Sequence, residues 1–405
     1  MQLNELEERF PHHRLRIHLP DGDARCLGES GPILDWHIRK RHTLKRILRK
    51  SGRWLGDSYV AQEWDIAPEH LPLLVRRLSS RPGRAPRPDW PRRLRERLPA
   101  RRPREALLAW LADSPLVSRH CLGASLCHRC AHFPEPGISL EQAQRHAWQR
   151  VLEKLALQAG QHVFIADAGW GALALYLAER ADVRVTATCH SGAQLQQARA
   201  AARRRGLDAR IDFRLGGPQA FRNGYDRLVL GGLRGPCSRE PVSRLLHACS
   251  MLKTDGIALL TIVGVDKGAL AGNQWLRRRM QCGRNTARLS RLAADAESGE
   301  LHIRSVVNQG AHYRQTFGHW RRRLQYHREA VSRAFGEHRT RSWEFELASL
   351  EAAFADGEMI AWEVLLGNAT TAGQAVAGKG ESLDHAAGLA TFTDNLSTGP
   401  RVIRN

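Results

Sequence analysis

Residues 163–180, Val-Phe-Ile-Ala-Asp-Ala-Gly-Trp-Gly-Ala-Leu-Ala-Leu-Tyr-Leu-Ala-Glu-Arg, decide the fold. A short apolar strand runs into Gly169-Trp170-Gly171 and straight on into a helical pattern. In an open α/β sheet a nucleotide-type cofactor sits at this place, beyond the carboxyl end of the first strand and against the helix N-terminus. The stretch looks like a cofactor loop from which key parts have been removed. Fold and activity are therefore separate questions.

Outward from that stretch, residues 140–264 alternate helical and strand-like segments. The periodicity predicts helices over Gln142–Leu157, Ala172–Arg180, Gly192–Arg205 and Val242–Leu252. Strands are expected at Val163–Ile165, Val183–Thr188, Ile211–Leu215, Arg227–Gly231 and Ile257–Val263. Strands separated by helices of this length mean a doubly wound α/β domain with a mainly parallel sheet. Residues 314–365 read as helical, closing in a strand at Glu358–Leu366. Nearer the start, Leu15-Arg16-Ile17-His18-Leu19 followed by Pro20-Asp21-Gly22 predicts a hairpin. Trp64-Asp65-Ile66 leads into an amphipathic helix around Leu71–Leu78. The expected organisation is a small α+β domain over 1–75, an Arg/Pro-rich linker over 76–107, the α/β domain over 108–366 and a disordered tail over 367–405. The linker carries six prolines between Arg76 and Arg104 with little apolar content, the signature of a solvated arm or of a clamp for an anionic surface. The tail is Gly, Ala, Thr and Ser without period.

The 405 residues carry a net charge of +21, almost all of the positive charge from arginine. Such a surface seeks polyanions: anionic headgroups contribute about 1 kcal/mol per basic residue held near them, and nucleic-acid phosphates attract it as well. No aromatic platform interleaves with the basic residues, so nucleic acid is the weaker expectation. No apolar run is long enough to span a bilayer, and residues 1–8 lack the regions of a signal peptide. The expected location is cytoplasmic, peripheral to the inner membrane face. Eight irregularly spaced cysteines argue for thiols rather than a disulfide framework.

Several separated segments carry a family resemblance. Arg16-Ile17-His18-Leu19-Pro20-Asp21-Gly22 and Leu55-Gly56-Asp57-Ser58-Tyr59 through Trp64-Asp65-Ile66 stand near the start, and Cys130-Ala131-His132-Phe133 precedes the sheet. Gly169-Trp170-Gly171 with its helix is followed by Ser191 and Gln194. Gly310-Ala311-His312-Tyr313, Gly318-His319-Trp320, Trp343-Glu344-Phe345 and Phe354-Ala355-Asp356-Gly357 close the series. In order and spacing, over roughly residues 13–366, the chain resembles the cyclopropane-fatty-acyl-phospholipid synthase family. The resemblance implies a seven-stranded methyltransferase-type sheet, S-adenosylmethionine as cofactor, unsaturated acyl chains of phospholipids as substrate and an anionic membrane surface as partner. It also implies dimers, either of this chain or with an active synthase. In that family the alkene attacks the sulfonium methyl group and a bound bicarbonate removes a proton from the resulting cation. Carried over residue by residue, the resemblance assigns cofactor contacts to Asp167, Gly169, Trp170, Gly171, Ser191 and Gln194, and catalytic roles to Cys130 and Tyr313.

The departures cluster in the chemistry. The family loop reads Asp-x-Gly-Cys-Gly-Trp-Gly, which puts Ile165 at the acidic position and Asp167 at the first glycine. Asp167 would then face the donor's carboxylate, and two like charges ~4 Å apart cost roughly 4 kcal/mol at an effective dielectric of about 20. In a register shifted by two residues, Asp167 is the acidic residue and Leu173 stands where a third glycine belongs. Gly235 and Pro236 replace the family's Glu-His, Thr261 its later histidine, and Gly217 an acid after the third strand. Glu240 is a candidate substitute carboxylate or a solvated helix-start charge. The expectation is an active site degenerate for the usual reaction: an enzyme of weakened or lost activity, or a silent lipid-binding partner of an active synthase.

Three other signals stand apart. His120, Cys121, Cys127, His128, Cys130 and His132 crowd potential ligands together, but one C-x-x-C pair without a second is weak for zinc, and no metal is expected. Arg203-Arg204-Arg205 complements a helix C-terminus. Trp275-Leu276-Arg277-Arg278-Arg279-Met280 and Arg321-Arg322-Arg323 are compatible with a headgroup interface or with solvated helix faces.

Overall fold

The computed structural model describes residues 3–79, 107, 110–111, 114–217, 224–231, 248–265, 272–280 and 289–368. The N-terminal part comprises α1 (Leu3–Glu7), β1 (Arg14–His18), β2 (Ala24–Leu27), β3 (Ile33–Ile38), α2 (Arg41–Val60), β4 (Trp64–Ile66) and α3 (Leu71–Ser79). The hairpin expected at Pro20-Asp21-Gly22 is there: β1 and β2 pair antiparallel, with Gly22 at φ 90° in the turn. β3 joins β1 in parallel, giving a four-stranded sheet of order β2-β1-β3-β4. α3 continues through Arg76–Ser79, past the point where the composition changes. Residues 80–106, where the Arg/Pro-rich linker is expected, lie outside the described residues.

After α4 (Pro115–Leu122), the elements follow as α5 (Leu140–Lys154), β5 (His162–Ile165), α6 (Ala172–Ala181), β6 (Arg184–Cys189), α7 (Gly192–Arg204), β7 (Ile211–Leu215), β8 (Tyr225–Gly231) and β9 (Leu252–Val265). α8 (Gln274–Met280), α9 (Leu289–Ser298), β10 (Leu301–Asn308), α10 (Gly310–Tyr326), α11 (Arg328–Phe335), α12 (Glu337–Ala355) and β11 (Met359–Asn368) complete the chain. α5 starts where Ser139 and Gln142 cap each other reciprocally. The seven strands run β10-β11-β9-β8-β5-β6-β7, parallel from β9 to β7, with β10 and β11 antiparallel at one side. This is the doubly wound α/β architecture with a small N-terminal sheet that the alternation predicts. Leu252 opens β9 instead of ending a helix, and residues 242–247 of that expected helix lie outside the described residues. β11 runs on to Asn368; residues 369–405, the expected tail, also lie outside them.

The small sheet does not have a core of its own. Leu15, Trp36 and Trp64 belong to the same buried cluster as Trp320 on α10 and Trp343 and Phe345 on α12. Charge seals that joint. The Arg341 guanidinium donates to the Tyr59 and Trp64 carbonyls at 2.7 and 2.9 Å and pairs with Asp65 at 2.8 Å. The switch point of the sheet lies where β5 borders β8 on one side and β6 on the other, so the loop after β5 is where a site is expected.

Candidate functional site

The loop leaves β5 after Ile165, which still pairs with Ala187 and Val229. Asp167 follows in the left-handed region at φ 55°, and Gly169 and Gly171 have φ 58° and 93°. Asp167 thus has the conformation of a turn glycine, and Ile165 ends the strand, as in the unshifted register. A left-handed side-chain residue costs about 1–2 kcal/mol, least for Asp and Asn. The Asp167 N–H donates to Thr188 Oγ1 at 3.0 Å, and the Ala168 N–H to the Thr188 carbonyl at 2.8 Å. Gly171 caps α6. Trp170 is buried and donates its indole N–H to the Leu111 carbonyl at 3.0 Å.

The Asp167 side chain is 11 % exposed. Its Oδ1 lies 3.3 Å from His128 Nε2 and 3.2 Å from His190 Nε2. Both contacts are at hydrogen-bonding distance, with neither ring N–H well aligned on that oxygen. Burial on its own would raise the acid's pKa. The two histidines reverse this, and Asp167 is held well below the usual carboxylate range. The backbone segments that carry the two rings are held by hydrogen bonds. Arg129 Nη2 donates to the Ala166 carbonyl at 2.8 Å, tying the 128–130 segment to the loop. Ser191 caps α7 by accepting from the Gln194 N–H, while Gln194 Oε1 accepts from the His190 N–H at 3.0 Å. Ser191 and Gln194, expected to touch a cofactor, here hold His190 in place.

Beyond this clamp a partly open cavity of ≈ 50 Å³ is lined by Arg129, Cys130, Thr261, Gln309, Tyr313 and Glu363 among others. Cys130 and Tyr313 therefore do share one cavity. The Cys130 thiol lies 3.3 Å from the Ala131 carbonyl, and burial pushes its pKa well up. Tyr313 is 1 % exposed, stacked on Phe354, and burial likewise keeps its phenol protonated. Thr316 fixes the cysteine segment by accepting from the Ala131 N–H at 3.1 Å and donating to the His312 carbonyl at 2.7 Å. Thr261 and Glu363 are register partners on β9 and β11. Glu363 is ion-paired with Lys154 and lies 3.4 Å from Gln309 Nε2.

His190, Glu363 and Lys154 were not among the residues singled out by motif, and His128 was named only as a potential metal ligand. A signal existed for two of them. Glu363 is a lone carboxylate inside an apolar strand, and His190 adjoins Ser191.

The donor loop does not fit the S-adenosylmethionine that the resemblance implies. A Cβ built on Gly169 would stand 2.2 Å from His128 Cε1 and 2.4 Å from Nδ1. The face that such a glycine leaves open for a ligand's close approach is filled by an imidazole, with a carboxylate beside it, so S-adenosylmethionine has no cradle in this arrangement. The cavity wall carries the Glu363 carboxylate ion-paired with Lys154, together with Arg129 and Arg150. Gly235, Pro236 and Glu240 lie outside the described residues.

The crowded 120–132 segment disperses. Cys121 and Cys127 are buried in different surroundings, and His120 packs on His327 while His132 packs on His312. Among the described residues no group of three or more His, Cys, Asp or Glu side chains is arranged to hold a metal ion. Several arginines of the later basic runs are engaged in ion pairs within the fold. Trp275 is 5 % exposed and packs edge-on against Phe345, Arg278 pairs with Asp57 and Arg279 with Glu346. Arg321 pairs with Glu351 and Arg323 with Glu141. Arg203 and Arg204 end α7 exposed, as a helix C-terminus favours. No described helix is long and apolar enough to cross a membrane.

The profile of the mycolic acid cyclopropane synthetase family matches residues 117–364. The cyclopropane-fatty-acyl-phospholipid synthase of Escherichia coli K12 is 26% identical over 372 residues, covering 87% of this chain and 92% of that protein. A probable fatty acid methyltransferase of Pseudomonas putida is 26% identical over 247 residues, covering 58% of this chain and 62% of that protein. The structure of mycolic acid cyclopropane synthase CmaA1 complexed with SAH and CTAB superposes with a TM-score of 0.58 at 21% identity, covering 63% of this chain and 94% of that one.

Proposed function

Because the chain belongs to the mycolic acid cyclopropane synthetase family, we propose that it works at an anionic phospholipid surface, engaging unsaturated acyl chains, with the family's S-adenosylmethionine-dependent transfer weakened or lost. The observation that carries this is the buried, left-handed Asp167 held between two histidines in the donor loop. When bound, S-adenosylmethionine supplies an electrophilic methyl group. This chain's residues do not open a place for it, and among the described residues the cavity carboxylate, Glu363, is tied to Lys154, which leaves the neutral His132 imidazole as the unpaired base of that cavity. A silent partner of an active synthase is the same reading with turnover at zero.

The lipid-surface part rests on α2. Arg41, Lys45, Arg49 and Arg53 are exposed at every fourth position, hence on one face of the helix. Arg41 pairs with Asp21, whereas Lys45, Arg49 and Arg53 have no carboxylate partner among the described residues. Like charges at this spacing cost the helix about 0.2–0.5 kcal/mol per pair, a cost that anionic headgroups relieve. The test is incubation of the protein with labelled S-adenosylmethionine and vesicles of unsaturated phosphatidylglycerol, scored for transfer and for flotation. Flotation without transfer is expected, together with loss of flotation at high salt and in a Lys45→Glu, Arg49→Glu, Arg53→Glu variant of unchanged Tm. Transfer at the rate of an active synthase contradicts the loss of activity. Flotation on neutral vesicles without salt sensitivity contradicts the electrostatic surface.

A further inference from the structure

We propose that His128 is the resident occupant of the donor loop: with Asp167 and His190 it closes the face of Gly169 on which a donor would lie, and this contact makes the chain refuse S-adenosylmethionine. The inference rests on reading residues 165–171 as the family's donor loop. It goes beyond lost activity because it names the residues that exclude the donor and makes the exclusion reversible.

Three segments distant in sequence meet here. The loop before α5 brings His128, the turn after β5 brings Asp167, and the turn after β6 brings His190. The His128 ring occupies the volume that a side chain on Gly169 would need. It can lie there only because that position is glycine, the residue that ordinarily lets a ligand approach the backbone. Here a side chain of the same protein makes that approach. The ring is not a casual visitor, since its neighbour Arg129 is hydrogen-bonded to the Ala166 carbonyl at 2.8 Å. His190 is likewise held by the Ser191 and Gln194 cap of α7.

Charge reinforces shape. An incoming amino-acid-type donor brings one ammonium and one carboxylate. Its ammonium would have to displace both imidazoles from Asp167, and its carboxylate would meet the like charge of Asp167 if they stayed. Cys189 closes the floor, its thiol donating to the Gly169 carbonyl at 3.4 Å. If the three residues only packed, their removal would change stability and leave the ligand range untouched. As occupants, their removal opens a site.

The experiment is calorimetric titration of the full chain with S-adenosylmethionine and, separately, S-adenosylhomocysteine. Wild type, His128→Ala, Asp167→Gly and the double variant are compared, each checked for native circular dichroism. The expected result is no saturable heat from wild type at millimolar ligand and a gain of roughly tenfold or more in affinity in the double variant. Micromolar binding by wild type overturns the proposal, and so does a folded double variant that gains nothing. Should the double variant not fold, His128→Ala alone has to show the gain, and its failure to do so has the same consequence. Donor binding by wild type without transfer to lipid would sink the clamp and leave the proposed function standing. Transfer to lipid by wild type would sink both.

Discussion

Two regions of the molecule bury charge, and they do it in opposite ways. At the joint between the small sheet and α12, charged groups are hydrogen-bonded between elements far apart in sequence. Arg341 donates to two carbonyls and pairs with Asp65, Arg328 Nε donates to Glu344 at 2.8 Å, and the Tyr59 hydroxyl donates to Glu344 at 3.1 Å. In the donor loop, Asp167 has two histidines at contact distance and neither aligned on its Oδ1. The first arrangement is a staple between elements far apart in sequence, and the fold depends on it. The second sits in a left-handed turn that glycine would occupy at no steric cost, and the fold gains little from it.

The largest effect separating the two regions is therefore on stability. Arg341→Ala removes one partner from a buried, hydrogen-bonded network, and such losses cost about 3–5 kcal/mol. Urea unfolding should show it as a lowered midpoint, and a loss under about 1 kcal/mol would mean that the joint is not what holds the small sheet on.

A smaller effect separates the two by pH. Burial lowers His132 to about 3 and His319 to about 4. The unfolded chain protonates both near ~6.5, so between those values it binds more protons than the folded chain. Stability is then lost as pH falls from about 6.5 to about 4, and the loss levels off below that window. Asp167 works in the other direction and elsewhere: its depressed value keeps its contribution down to below the ordinary carboxylate range. A melting series from about pH 7.5 to about pH 4 should be level above about 6.5 and slope downward below it, and His319→Phe should lessen that slope. A flat series in wild type would show that these rings are solvated.

The smallest effect is at the clamp. Asp167→Gly relieves the side-chain cost of the left-handed turn, about 1 kcal/mol, while losing contacts that are not aligned. The net change should stay within about 1 kcal/mol, in contrast to Arg341→Ala. A loss comparable to that of Arg341 would make Asp167 a structural staple and erase the distinction between the regions.

The doubly wound, mainly parallel sheet was legible because apolar strands alternate with amphipathic helices and Gly169-Trp170-Gly171 follows the first strand, whereas the edge strand β10, Leu301–Asn308, was not among the expected strands. Asp167 was legible as an anomaly at a glycine position. Its partners were not, since His128 and His190 are brought to it only by the loop before α5 and by the cap on α7. The ion pairs of the basic runs were not legible for the same reason. Arg278 finds Asp57 from 221 residues away and Arg321 finds Glu351 from 30, pairings that no local charge count reveals. The α2 stripe is regular in sequence, yet only the folded surroundings show which of its cations lack a carboxylate partner among the described residues.

Equilibrium dialysis of the unmodified protein against labelled S-adenosylmethionine tests the central claim most directly. The account predicts that label distributes equally across the membrane up to millimolar concentrations, with His128 still seated on Gly169. Retention of one equivalent at micromolar concentration would contradict it.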